Sequence, residues 1–104
     1  MPEWYWKSGL HDAQIIRAAE IGYRRLKLTL DSSGALYDRS VRSITLVNCE
    51  ILTAPEVLDG LWWQSDELIS DGGYVLNAEL TGSDGERIPF TVRFSDALVE
   101  RFSL

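Results

Sequence analysis

His11 and Asp12 stand side by side in the chain, and a carboxylate beside an imidazole is a pairing that can orient a general base or help hold a metal ion. Neighbours in an extended segment point to opposite faces, however, which works against cooperation between the two. His11 is the single histidine and Cys49 the single cysteine, so a ligand set for a metal would have to be completed by scattered carboxylates. The plainer reading has Asp12 bonding nearby backbone and His11 hydrogen-bonded at the end of a sheet. No metal and no cofactor is expected. A second constellation is Trp62-Trp63 followed by Asp66-Glu67. Tryptophan supplies large apolar area with one polar N–H, which suits both cores and binding surfaces. Two in a row on an extended stretch face opposite ways, so one is expected in the core and one outside. The two carboxylates would attract a basic partner or simply be solvated.

No catalytic residue can be named from spacing. The 16 acidic residues are scattered, so no pair is marked as an acid–base couple. Gly72-Gly73 lacks the Gly and Lys pattern of a phosphate loop, and there is no nucleophile elbow. Cys49 lies in the apolar stretch Ile44-Thr45-Leu46-Val47-Asn48-Cys49, where it reads as a small buried side chain. Nothing nearby would lower its thiol pKa.

The elements that must position these residues are mostly strands. Leu26, Leu28 and Leu30 alternate with polar neighbours, the period of a half-buried strand, and Asp31-Ser32-Ser33-Gly34 supplies turn chemistry after it. Ile44 and Leu46 alternate with Thr45 and Val47, and the pattern slips at Asn48-Cys49 as a β-bulge or corner would make it. Tyr74 to Leu80 and Ile88 to Phe94 alternate on either side of Gly82-Ser83-Asp84-Gly85, a hairpin connection. Pro89 places the second of these strands at a sheet edge or near its own start. Thr53, Pro55 and Gly60 predict a short helical turn near 54–60. Residues 11–22 are open between a helix capped by Asp12 and a strand turning near Gly22. The tail from Ala97 to Leu104 is open between strand and short helix. Trp4, Tyr5 and Trp6 predict an N-terminal strap over one end of the core, with Trp4 and Trp6 on one face and Tyr5 on the other. No clear repeat is visible, although Val41–Leu52 and Phe90–Phe102 share an outline of strand, polar step and strand.

Length and charge bound the class. A chain of 104 residues is one domain, 1–104, that buries roughly two-thirds of its unfolded surface. A net charge of −6 argues against nucleic acid and against an anionic membrane surface, since both attract basic proteins. No apolar run is long enough for a membrane helix. Met1-Pro2-Glu3-Trp4 does not read as a secretory signal, and one cysteine asks for no oxidising compartment, so a cytoplasmic location is expected.

Leu10-His11-Asp12-Ala13-Gln14-Ile15, followed by Leu26-Lys27-Leu28-Thr29-Leu30-Asp31, resembles the opening of several small bacterial families whose pattern is Leu or an aromatic, then His-Asp, then a period-two strand ending in Asp. Some of these families are immunity proteins of polymorphic toxin systems. Ser33-Gly34-Ala35-Leu36-Tyr37, Trp62-Trp63-Gln64-Ser65-Asp66-Glu67-Leu68 and Phe94-Ser95-Asp96-Ala97 fit the same impression. The resemblance implies that 12–21 is a strand pairing with 24–31. It supplies no catalytic residues.

The expectation is a mainly β domain, a small sandwich or roll of about six or seven mostly antiparallel strands with one short helical turn. Leu26, Leu28, Leu30, Ile44, Leu46, Leu76, Leu80, Phe90, Val92 and Phe94 should form much of the core. The expected function is a non-catalytic protein-binding module, immunity-like in the sense of the resemblance, with Trp62, Trp63, Asp66, Glu67, His11 and Asp12 as binding candidates and a basic protein as partner. The alternatives are a small metal-dependent hydrolase built on the His-Asp pair and a self-associating homodimer.

Overall fold

The computed structural model describes residues 2–102. Eight antiparallel strands follow one another along the chain: β1 (Gln14–Gly22), β2 (Arg25–Asp31), β3 (Val41–Val47), β4 (Glu50–Thr53), β5 (Trp62–Ser70), β6 (Tyr74–Thr81), β7 (Arg87–Phe94) and β8 (Asp96–Arg101). They form one hydrogen-bonded order, β4-β7-β6-β5-β1-β2-β3-β8. A flat sheet of eight strands would be roughly 38 Å wide and about 10 Å thick. The molecule instead measures 34 × 33 × 24 Å, so the sheet doubles over. The bend lies at β1–β5, which share a single register pair, Gln14↔Trp62. Inward side chains of both quartets form one core, and all ten core residues expected from alternation are buried in it.

Residues 14–22 are strand, not helix. The stretch pairs with β2 from Gln14↔Asp31 to Gly22↔Arg25, and that pairing outweighs a weak helix preference. The count is eight rather than six or seven because Asn48, at a φ of +53°, breaks the 41–52 stretch into β3 and β4, and because the tail adds β8. Of that tail, Ser103 and Leu104 lie outside the described residues. The expected helical turn at 54–60 is absent. This stretch must carry the chain from β4 at one end of the sheet order to β5 in its middle, and its polar groups are spent on β1. Asp59 accepts from the Ala18 N–H, Gly60 donates to the Ile15 carbonyl, and Leu58 is buried. Pro89 sits third in β7, beyond the end of short β4, so its missing N–H costs no ladder bond on that side.

The junction reveals a two-fold relation that the sequence hides. Ile15 donates to the Leu61 carbonyl at 2.8 Å, and Trp63 donates to the Ala13 carbonyl at 2.7 Å. Asp12 donates to the Trp63 carbonyl at 2.8 Å, and Gly60 to the Ile15 carbonyl at 2.7 Å. Ala13 donates to Leu10, and Leu61 to Leu58. Each couple is one bond repeated with the halves exchanged at a spacing of 48 positions. Asp12 and Gly60 share the left-handed backbone, at φ +74° and +87°. The register repeats as well, including a bulge at Ile16 and its counterpart Gln64. Ile15↔Leu30 matches Trp63↔Leu80, and Leu26↔Leu46 matches Leu76↔Val92. Each half lends its last strand to the other: β4 follows β3 but pairs with β7, and β8 follows β7 but pairs with β3. The shared outline of Val41–Leu52 and Phe90–Phe102 belongs to this repeat.

The equivalence of Asp12 and Gly60 gives a stability prediction. A side chain in the left-handed region costs about 1–2 kcal/mol, less for Asp. Gly60→Ala should therefore destabilise the domain by about 1–2 kcal/mol, whereas Asp12→Gly should change it by less than about 1 kcal/mol. Urea denaturation of the two variants checks this.

Candidate functional site

The bulge at Gln64 decides what Asp66 does. It shifts the alternation of β5, so residues 63 and 66 reach the same face. Trp63 is fully buried, and its indole N–H donates to Asp66 Oδ1 at 3.1 Å. The other oxygen, Oδ2, accepts from the Tyr5 hydroxyl at 2.7 Å and from the Trp6 indole at 3.0 Å. One carboxylate thus takes three aromatic donors and pins the N-terminal strap to β5.

The strap is coiled rather than extended: Tyr5 N–H reaches back to the Pro2 carbonyl. The expected alternation therefore fails, and Tyr5 and Trp6 are both buried. Trp6 meets Trp63 edge-on at 5.7 Å, while Trp4 packs edge-on against Tyr74 at 5.3 Å and beside Phe94 at 5.8 Å. Such pairs add about 0.5–1.5 kcal/mol each beyond burial. Burial first, then the hydrogen bond to Asp66 and its negative charge, push the Tyr5 phenol up to about 12.

His11 is tied to the same strand by its other end. Its Nε2 lies 3.0 Å from the Gln64 side-chain nitrogen, and its Nδ1 lies 3.1 Å from Asp12 Oδ2. With the Gln64 amide donating to Nε2, the ring hydrogen sits on Nδ1. That atom is shielded from water and makes no aligned hydrogen bond, so the contact with Asp12 is one of proximity. Among the described residues, no group of three or more His, Cys, Asp or Glu side chains is placed to hold a metal ion. Of the six binding candidates, the structure links His11 to β5 through Gln64 and Asp12 to Trp63 through a backbone bond. It sets Trp63 in the core and Asp66 behind the strap. Trp62 is half-buried beside the junction, and Glu67 is exposed. Cys49 is half-buried, and burial raises its thiol to about 11, in keeping with an inert side chain.

The open surface lies elsewhere, along β1 and β4. A groove of about 360 Å³ runs between Ala18, Ala19 and Leu26 on one side and Ile51, Pro55 and Val57 on the other. Glu20, Glu56 and Asp59 complete its wall with three carboxylates and no cation. It continues into a smaller hollow of about 160 Å³, which shares Glu20, Leu26 and Ile51 and ends at Arg24, Arg25 and Cys49. All four residues of β4 are exposed, and among the described residues its outer edge pairs with no strand. Alternation could not reveal this groove, because it is framed by connections and strand edges rather than by a periodic face.

No family model, curated protein or solved structure matches the chain. No helix among the described residues is long and apolar enough to cross a membrane.

Two measurements test the strap. Asp66→Ala leaves three donors without their acceptor and should cost about 2–3 kcal/mol. The neutral Tyr5 phenol favours the fold, because its folded pKa of about 12 exceeds the ordinary 10.0. Its contribution is intact below pH 10 and is lost as pH rises from about 10 to about 12. Tyr5→Phe should flatten that part of the stability–pH curve and remove the latest tyrosine ionisation from an ultraviolet titration.

Proposed function

We propose that this chain is a non-catalytic protein-binding module whose partner is a basic protein. The observation that carries this reading is the groove beside β4. It combines exposed aliphatic side chains, Ile51 at 45% and Val57 at 63% exposure, with three carboxylates and an unpaired strand edge. Apolar area of this kind supplies affinity when it is covered, and an acidic rim steers and selects a basic partner. The net charge of −6 works in the same direction over longer range. In the bacterial families that the sequence resembles, a basic toxin would be a partner of this chemistry.

The binding surface moves away from Trp63 in this reading. Trp63→Ala would remove a fully buried side chain, cost about 3–5 kcal/mol, and report on folding. Ile51→Asp and Val57→Asp change exposed positions and leave the core alone. Capture from a lysate of the source cell should retain one stoichiometric basic partner on the natural protein. Both variants should lose it, and salt should elute it. A partner retained in full by both variants would contradict this assignment of the surface.

A further inference from the structure

The two halves share a frame but not a covering, and the difference says what the groove is shaped to take. Under the two-fold relation, Ala18, Glu20, Leu26 and Ile51 correspond to Asp66, Leu68, Leu76 and Ala97. Arg24 and Asn48 correspond to Tyr74 and Phe94, which flank Trp4. In the second half, Leu68 and Ala97 are 7% and 4% exposed. In the first half, Glu20 is exposed and Ile51 is 45% exposed. In the second half the strap lies over the bed beside β5, with Tyr5 and Trp6 on Asp66 and Trp4 against Tyr74 and Phe94. Counted at the same spacing of 48 positions, Trp6 falls on Ala54, and upstream of it residues 50–53 pair with β7 as β4. Ala54 and Ala18 thus face the groove where Trp6 and Asp66 meet in the other half.

We propose that the groove binds an aromatic side chain carried on a basic segment of the partner, seated as Trp6 is seated beside β5. This rests on the protein-binding reading and names the chemistry of its ligand. The aromatic ring fills the space that Ala18 and Ala54 leave open against Leu26 and Ile51. A lysine or arginine next to it meets Glu20, Glu56 and Asp59, which have no cation among the residues of this hollow. At the far end Glu20 shares its hollow with Arg25 and with Arg24, which pairs with Glu50 at 3.8 Å, so the end marked by Glu56 and Asp59 is the one that selects the ligand's charge.

The probe is the end-blocked tripeptide Lys-Trp-Lys, titrated into the 104-residue chain and followed by backbone amide shifts. Saturable shifts at Ala18, Ala19, Glu20, Ile51 and 54–59 support the proposal, with Lys-Ala-Lys and Glu-Trp-Glu giving much weaker responses. Ala54→Trp builds the strap's own arrangement into the groove and should abolish binding. Should that variant fold poorly, Glu20→Gln with Glu56→Gln should weaken binding by about tenfold, the effect of two rim charges together. The proposal is overturned by any of three results: no response at the groove, equal response to Lys-Ala-Lys, or a dimer of this chain that Ala54→Trp dissolves. A captured partner lost with Ile51→Asp but kept by Ala54→Trp would overturn this inference and leave the protein-binding reading standing.

Discussion

The two quartets of strands meet through a short run of backbone hydrogen bonds between residues 10–15 and 58–63. These bonds set the bend in the sheet, because β1 and β5 share only one register pair there. Both strands then diverge, and each leaves an edge that something else must cover. The junction also sets the two positive-φ residues, Asp12 and Gly60, that turn the chain into β1 and β5. His11-Asp12 therefore stands at a turn that the other half makes with Asp59-Gly60. That is a structural reason for the pair, independent of any chemistry.

From this frame the halves depart in opposite directions. Beside β5, one part-buried carboxylate gathers the hydroxyl of Tyr5 and the indoles of Trp6 and Trp63. A polar group placed there would be costly alone and is stable because its donors arrive together. Beside β1 Ala18 stands where Asp66 does and Ile15 where Trp63 does, and no carboxylate among the described residues gathers aromatic donors there; Asp59 meets the strand at the Ala18 N–H and Gly60 at the Ile15 carbonyl. The covered bed contributes to the core, and the bare one is the apolar and acidic surface on which the functional reading rests. Exchange of β4 and β8 between halves is what frees residues 50–53 from covering it.

Alternation made the core legible, since Leu26, Leu28, Leu30, Phe90, Val92 and Phe94 each face inward from strands of period two. The hairpin at 82–85 was legible too, with Gly85 at φ +81° supplying the backbone that only its turn chemistry could announce. The site was much less so. Trp63 and Asp66 share a face because of a bulge, and a bulge leaves little trace in a pattern of residue types. Of the repeat only the loose outline shared by Val41–Leu52 and Phe90–Phe102 is legible, because Ile15 answers to Trp63 and Asp12 to Gly60: the halves keep geometry and exchange chemistry. The 54–60 stretch misled because Pro55 and Gly60 suit a helical turn locally, whereas its backbone is held by distant β1.

Native-state hydrogen exchange of the amides of Asp12, Ile15, Gly60 and Trp63 tests most directly whether the junction holds the two halves as one unit. The account predicts that these four exchange only by global unfolding, at the same free energy as the interior amides of β2 and β6. If the four exchange readily while β2 or β6 stays protected, or if the two quartets open at different free energies, the halves are separate units and the account is contradicted.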